Sequence, residues 1–93
     1  MVFMVLHLET NDYEAWKEVF DSDPAGRRES AKGHMVSRAA DNPNEVFIRV
    51  EFASLDDARS FRERLLASGA LDNPNATVKT PPTVIEPVEN ITY

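Results

Sequence analysis

Glu45-Val46-Phe47-Ile48-Arg49-Val50-Glu51-Phe52 alternates without interruption. Successive side chains of a strand point to opposite faces. Val46, Ile48, Val50 and Phe52 therefore share one face, and Phe47, Arg49 and Glu51 the other. Directly after this run, Ser54 and Asp57 form a capping box. The helix it opens carries Leu55, Ala58, Phe61 and Leu65 on one stripe and stops at Ser68-Gly69. Before the run, Asp41-Asn42-Pro43-Asn44 is a cluster of turn formers. It joins the run to a second strand over 34–40, so the middle of the chain reads strand, turn, strand, helix.

Working outward, residues 2–9 form a first strand, with Met4, Leu6 and Leu8 on one face and Phe3, Val5, His7 and Glu9 on the other. Asn11 with Glu14 resembles a second capping box, and Tyr13, Trp16, Val19 and Phe20 then recur at helical spacing. Asp23-Pro24 marks a fresh helical start, and a short piece over 24–31 ends at Gly33. The stretch 70–80 is polar, with a turn at Asn73-Pro74-Asn75. After Pro81-Pro82, residues 83–88 make a last strand, placed at a sheet edge because Pro87 cannot donate to a central ladder.

The order β-α-β-β-α-β is the split arrangement of the ferredoxin-like α+β fold. Right-handed crossovers put both helices on one side of a four-stranded antiparallel sheet, with strands 1 and 3 central. Met4, Leu6, Leu8, Val46, Ile48, Val50 and Phe52 then meet the helices. Phe3, Val5 and Phe47 fall on the helix-free face, where apolar side chains call for a second subunit packed sheet to sheet.

Ninety-three residues make one domain, 1–93, and a chain this short has a small core that an oligomer would reinforce. Cysteine is absent, which removes disulfides and thiol chemistry. A net charge of −6 disfavours nucleic acid and anionic membrane as partners. The opening Met1-Val2-Phe3-Met4-Val5-Leu6 is too short and too soon charged to be a leader or a span. A cytoplasmic protein is expected, in which the triplets Asn75-Ala76-Thr77 and Asn90-Ile91-Thr92 are chance matches to a glycosylation signal.

Asp12-Tyr13-Glu14-Ala15-Trp16-Lys17-Glu18-Val19-Phe20-Asp21, preceded by His7 and followed by Arg27 and Gly33, resembles small proteins of the dimeric α+β barrel superfamily. Antibiotic-biosynthesis-monooxygenase-like proteins and their cyclase-like relatives belong there. Asn42-Pro43-Asn44-Glu45-Val46 and Pro81-Pro82-Thr83 extend the likeness over nearly the whole chain. The resemblance implies two ferredoxin-like units paired through their sheets, each with a ligand cleft between sheet and helices. Several members of the superfamily act on small organic or aromatic molecules, some by cofactor-free oxygenation and some by haem breakdown or decarboxylation, while many have no assigned activity. The resemblance thus implies a small-molecule role and leaves the reaction open.

The two histidines are the first candidates for chemistry. Strand order separates His7 from His34, so one metal ion shared between them is not expected. If residue 40 pairs with 45, antiparallel register sets Glu51 opposite His34, where the carboxylate would orient the imidazole for acid–base work or make a structural cross-strand pair. His7 has no such partner and packs beside Phe3 and Val5. A one-residue bulge would turn either ring to the other face. His7, His34 and Glu51 are therefore the catalytic candidates, without metal or cofactor.

Tyr13, Trp16 and Phe20 form an aromatic stripe that can wall a cleft for a flat apolar ligand or simply seal the core. Among the basic residues, Arg27, Arg38 and Arg49 are best placed to meet a ligand. Arg49 should leave the helix-free face beside Phe47 and seek a carboxylate from Glu51, Glu86 or a second subunit. Arg27 and Arg28 more simply complement a helix C-terminus. No glycine-rich phosphate loop, nucleophile elbow or histidine pair at metal spacing occurs. The leading expectation is a homodimer that binds a hydrophobic or aromatic metabolite, with cofactor-free catalysis of a monooxygenase-like or cyclase-like kind left open. The alternative is a noncatalytic ligand-binding or protein-interaction module with structural histidines.

Overall fold

A computed structural model describes residues 1–93. Strands β1 (Val2–Thr10), β2 (Gly33–Ala39), β3 (Asn42–Phe52) and β4 (Ala76–Ile85) alternate with helices α1 (Tyr13–Asp21), α2 (Arg27–Ser30) and α3 (Leu55–Ser68). The strands form one antiparallel sheet in the order β2-β3-β1-β4, with the helices over one face. This is the ferredoxin-like arrangement, with α2 as a short addition after α1.

Alternation in β1 and β3 sets the core as the sequence implies. Met4, Leu6, Leu8, Val46, Ile48, Val50 and Phe52 are all buried, and α3 meets them through Ala58 and Phe61. Phe61 packs on Phe52 with ring centroids 5.6 Å apart. The α3 boundaries follow from its caps. Ser54 accepts from the Asp57 N–H at 3.1 Å, and Gly69 closes the helix at φ 74, a left-handed conformation that favours glycine.

Four local expectations are corrected. Asp12, not Asn11, caps α1, accepting from the Ala15 N–H at 3.1 Å. Asn11 instead ties the end of β1 to the 73–75 turn, its side-chain amide donating to the Pro74 carbonyl at 3.1 Å. The short helix begins at Arg27 instead of residue 24, because Asp23 and Gly26 both take positive φ and hold residues 23–26 in a turn. The last strand starts at Ala76 and ends before Pro87. Its prolines 81 and 82 fall where its register with β1 slips, which an edge strand tolerates.

The fourth correction decides the site. Ala39 pairs with Asn42 across a two-residue turn at Ala40-Asp41, and the next pair is Arg38 with Val46. Pro43, Asn44 and Glu45 therefore have no counterpart on β2. Pro43 lacks an N–H to offer, and the Asn42 side chain accepts from the Asn44 N–H at 3.2 Å, so that N–H is satisfied without a partner on β2. The register that follows is one residue away from the one the sequence suggests. Every β2 side chain is consequently turned to the opposite face.

Candidate functional site

That shift separates His34 from Glu51. His34 pairs with Val50, and Gly33 takes the place opposite Glu51. His34 therefore lies on the helix-covered side, its ring edge-on to Phe20 at 5.2 Å between centroids. Desolvation of the ring, helped by the charges of Arg27, Lys17 and Arg28, holds the imidazole below the usual histidine range, against a smaller opposite pull from Asp21.

The carboxylate belongs to the other histidine. His7 lies opposite Phe47 in β1–β3 and its ring stacks on that phenyl, 4.3 Å between centroids and 3° from parallel. Its Nε2 is hydrogen-bonded to the Glu45 carboxylate. Glu45 pairs with Glu9, two residues along, so this is a diagonal cross-strand contact on the helix-free face. Only the β1–β3 register reveals it, and that register is not written in either strand alone. The two histidines thus sit on opposite faces of the sheet and three positions apart along β3, roughly 10 Å. No three His, Asp or Glu side chains converge as a metal site would require.

The aromatic stripe of α1 does assemble. Tyr13 and Trp16 lie 5.8 Å apart and Trp16 and Phe20 5.2 Å, with Trp16 buried and the other two half-buried. Trp16 and Phe20 help line a cleft between the sheet and the helices, together with Met4, Leu6, Ile48, Val50, Phe61 and the 70–73 segment. Tyr13 stands outside it, beneath Arg38, whose guanidinium carbon is 3.9 Å from the ring centroid and whose Nε donates to the Pro43 carbonyl at 2.7 Å. Arg49 is exposed on the helix-free face, 5.0 Å from the Phe3 ring centroid. No carboxylate of its own chain pairs with it. The cleft's free volume is about 60 Å³, space for a few waters.

Arg27 is the residue that sequence reasoning undervalued. As expected of a cation at a helix C-terminus, its Nη1 reaches the Phe20 carbonyl, at 3.4 Å. Yet it is only 5% exposed and lines the cleft. Its guanidinium carbon lies 3.9 Å from the Phe20 ring centroid. Asp23 is 3.7 Å from Nη1 and offsets part of the burial cost, which lowers the guanidinium's proton affinity. The carboxylate itself is occupied, accepting from the backbone N–H groups of Arg27 at 2.7 Å and Arg28 at 3.1 Å. Nε and Nη2 of Arg27 have no partner. A buried charged group left unmatched in this way costs about 1–3 kcal/mol or more.

The fold is that of the antibiotic-biosynthesis-monooxygenase-like proteins. SnoaB, a cofactor-independent oxygenase from Streptomyces nogalater, superposes with a TM-score of 0.76 at 15% identity, over 99% of this chain and 97% of that one. A Deinococcus radiodurans protein provisionally assigned as an antibiotic biosynthesis monooxygenase gives 0.73 at 19% identity, over 100% and 98%. Rv0793 from Mycobacterium tuberculosis gives 0.63 at 15%, over 99% and 100%. Neither a protein-family profile nor a curated protein matches the sequence, and identities this low speak to the fold alone. No helix is long and apolar enough to cross a membrane.

Proposed function

We propose that the protein is a homodimer closed sheet to sheet into an α+β barrel, and that each subunit binds a small hydrophobic or aromatic metabolite in its helix–sheet cleft. The carrying observation is the cleft itself, apolar on nearly every side with one buried arginine in its wall. Such a lining is typical of small-molecule sites. The dimer is supported by apolar side chains on the helix-free face, where Phe47 is 45% and Met35 52% exposed.

Action on the ligand without a cofactor is the fuller form of this reading. SnoaB, which shares the fold, is a cofactor-independent oxygenase. In this scheme His34 is the proton-transfer group: its ring meets Phe20, a wall residue of the cleft, from an exposed position outside the lining itself, and its lowered basicity favours the neutral form. His7, paired with Glu45 on the opposite face, belongs to the dimer interface. The cleft must widen for a polycyclic substrate, given its free volume of about 60 Å³. That small volume favours a second reading, a noncatalytic module whose histidines are structural.

A dimer structure from protein soaked with a panel of aromatic and polyketide-like compounds tests the proposal. Ligand density among Trp16, Phe20 and Arg27 is the expected result. A filled interior in every soak would leave the noncatalytic module. With a bound compound in hand, His34→Ala should abolish turnover while keeping the folded dimer, whereas loss of folding would assign His34 a structural role.

A further inference from the structure

We propose that the cleft selects a planar carboxylate, gripped by Arg27 and Asn73, with its carbon skeleton against the apolar wall; this rests on the cleft being a ligand site. The protein has three buried side-chain polar atoms without a hydrogen-bond partner: Nε and Nη2 of Arg27, and Nδ2 of Asn73. All three are donors, and both residues line this one cleft. A buried donor set with no acceptor of its own calls for an acceptor-rich guest.

The geometry narrows the guest further. The Nε–H and one Nη2–H of a guanidinium leave its edge in parallel, matching the two oxygens of a carboxylate. That is the edge left free on Arg27, since Nη1 is the atom that meets the Phe20 carbonyl and Asp23. The Asp23 carboxylate is occupied by the two backbone N–H groups it accepts from, and the Phe20 ring covers one side of the guanidinium, 3.9 Å from its central carbon. The Asn73 amide has its orientation set as well, because its Oδ1 accepts from the Asn75 N–H at 2.8 Å, which leaves Nδ2 as the free donor.

Local charge agrees with an anion despite the net −6 of the chain. Lys17 stands 5.8 Å from the Phe20 ring, and Arg28 follows Arg27. The nearby Asp21 is engaged by Lys17 at 2.6 Å. Beyond Arg27, Asp23 and Asn73 the lining is apolar, so the rest of the guest carries no further charge.

Trp16 is the only tryptophan and lines the cleft, so its fluorescence reports occupancy. The full chain is titrated with benzoate and cyclohexanecarboxylate, and with the neutral benzyl alcohol and cyclohexylmethanol. Two-point charged hydrogen bonding should make each acid bind roughly tenfold or more tighter than its alcohol. Arg27→Met should level acid and alcohol while keeping alcohol binding, and Asn73→Asp should weaken the acids alone. Equal affinity of the native protein for acid and alcohol would overturn the carboxylate assignment and leave the cleft standing. Binding of neither would remove both. Because the first comparison uses the native protein, the outcome does not depend on how well Arg27→Met folds.

Discussion

The Arg27 guanidinium lies over the Phe20 ring, its central carbon 3.9 Å from the ring centroid, and the same ring meets Trp16 and His34. One phenyl group thus joins the cation of the cleft to its aromatic wall and to the edge strand β2. Cation–π contact and aromatic pairing together account for about 1–3 kcal/mol in such settings. Phe20→Leu should lose about that much in urea unfolding. Phe20→Tyr keeps the ring and should remain within about 0.5 kcal/mol of the native protein. Equal losses in the two variants would show that the ring face is not what matters.

His34 gives stability a pH dependence whose sign follows from its surroundings. Its folded value lies below the ordinary 6.5, so the unfolded chain takes up a proton first as pH falls. The neutral ring's contribution is complete above 6.5 and is lost as pH drops from there through the lower folded value. Arg27, Lys17 and Arg28 oppose protonation and Asp21 favours it. Melting temperature should decline across that window in the native protein and decline less in His34→Gln. Parallel curves for the two proteins would count against this assignment.

The same residue shows how far the sequence can be read. Residues 45–52 disclose the buried face of β3 because strand periodicity is local, and Ser54 with Asp57 likewise announces α3. The face of β2 depends on how Pro43, Asn44 and Glu45 go unpaired in the β2–β3 ladder, and a bulge has no periodic signature. That one slip exchanges His34–Glu51 for His34–Phe20. The first part of β4 was hidden differently. Its first residues are polar and its prolines resemble a loop, yet at an edge the sheet accepts both. Burial of Arg27 is a tertiary outcome of the Asp23 turn and of α3, whose Arg64 donates to the Ala25 carbonyl at 3.3 Å and to the Ser30 hydroxyl at 3.0 Å.

Backbone strain and core loss can be separated at two positions. Gly69 adopts φ 74, and a Cβ there would meet nothing within 4 Å. Gly69→Ala should therefore cost only the left-handed backbone penalty, about 1–2 kcal/mol, and Gly69→Asn less. Phe52 is 0% exposed and packs on Phe61. Phe52→Ala should cost about 3–5 kcal/mol, a large part of the roughly 5–14 kcal/mol expected of a domain this size. A Gly69→Ala loss as large as that of Phe52→Ala would mean that α3 ends differently in solution.

The helix-free face supplies the last prediction. Phe47 is 45% exposed there, stacked against His7, with Met35 beside it in the same shallow depression. In a sheet-to-sheet dimer these side chains are covered, and a carboxylate at position 47 would be buried near Glu45 without a partner. Phe47→Asp should sediment as a monomer while its far-ultraviolet circular dichroism stays that of the native fold, because Val46 and Ile48 on the other face keep the core intact. The cleft lies across the sheet from this residue, so a folded monomer should still report ligands through Trp16. A Phe47→Asp protein that sediments as a native-like dimer would place the interface on another surface.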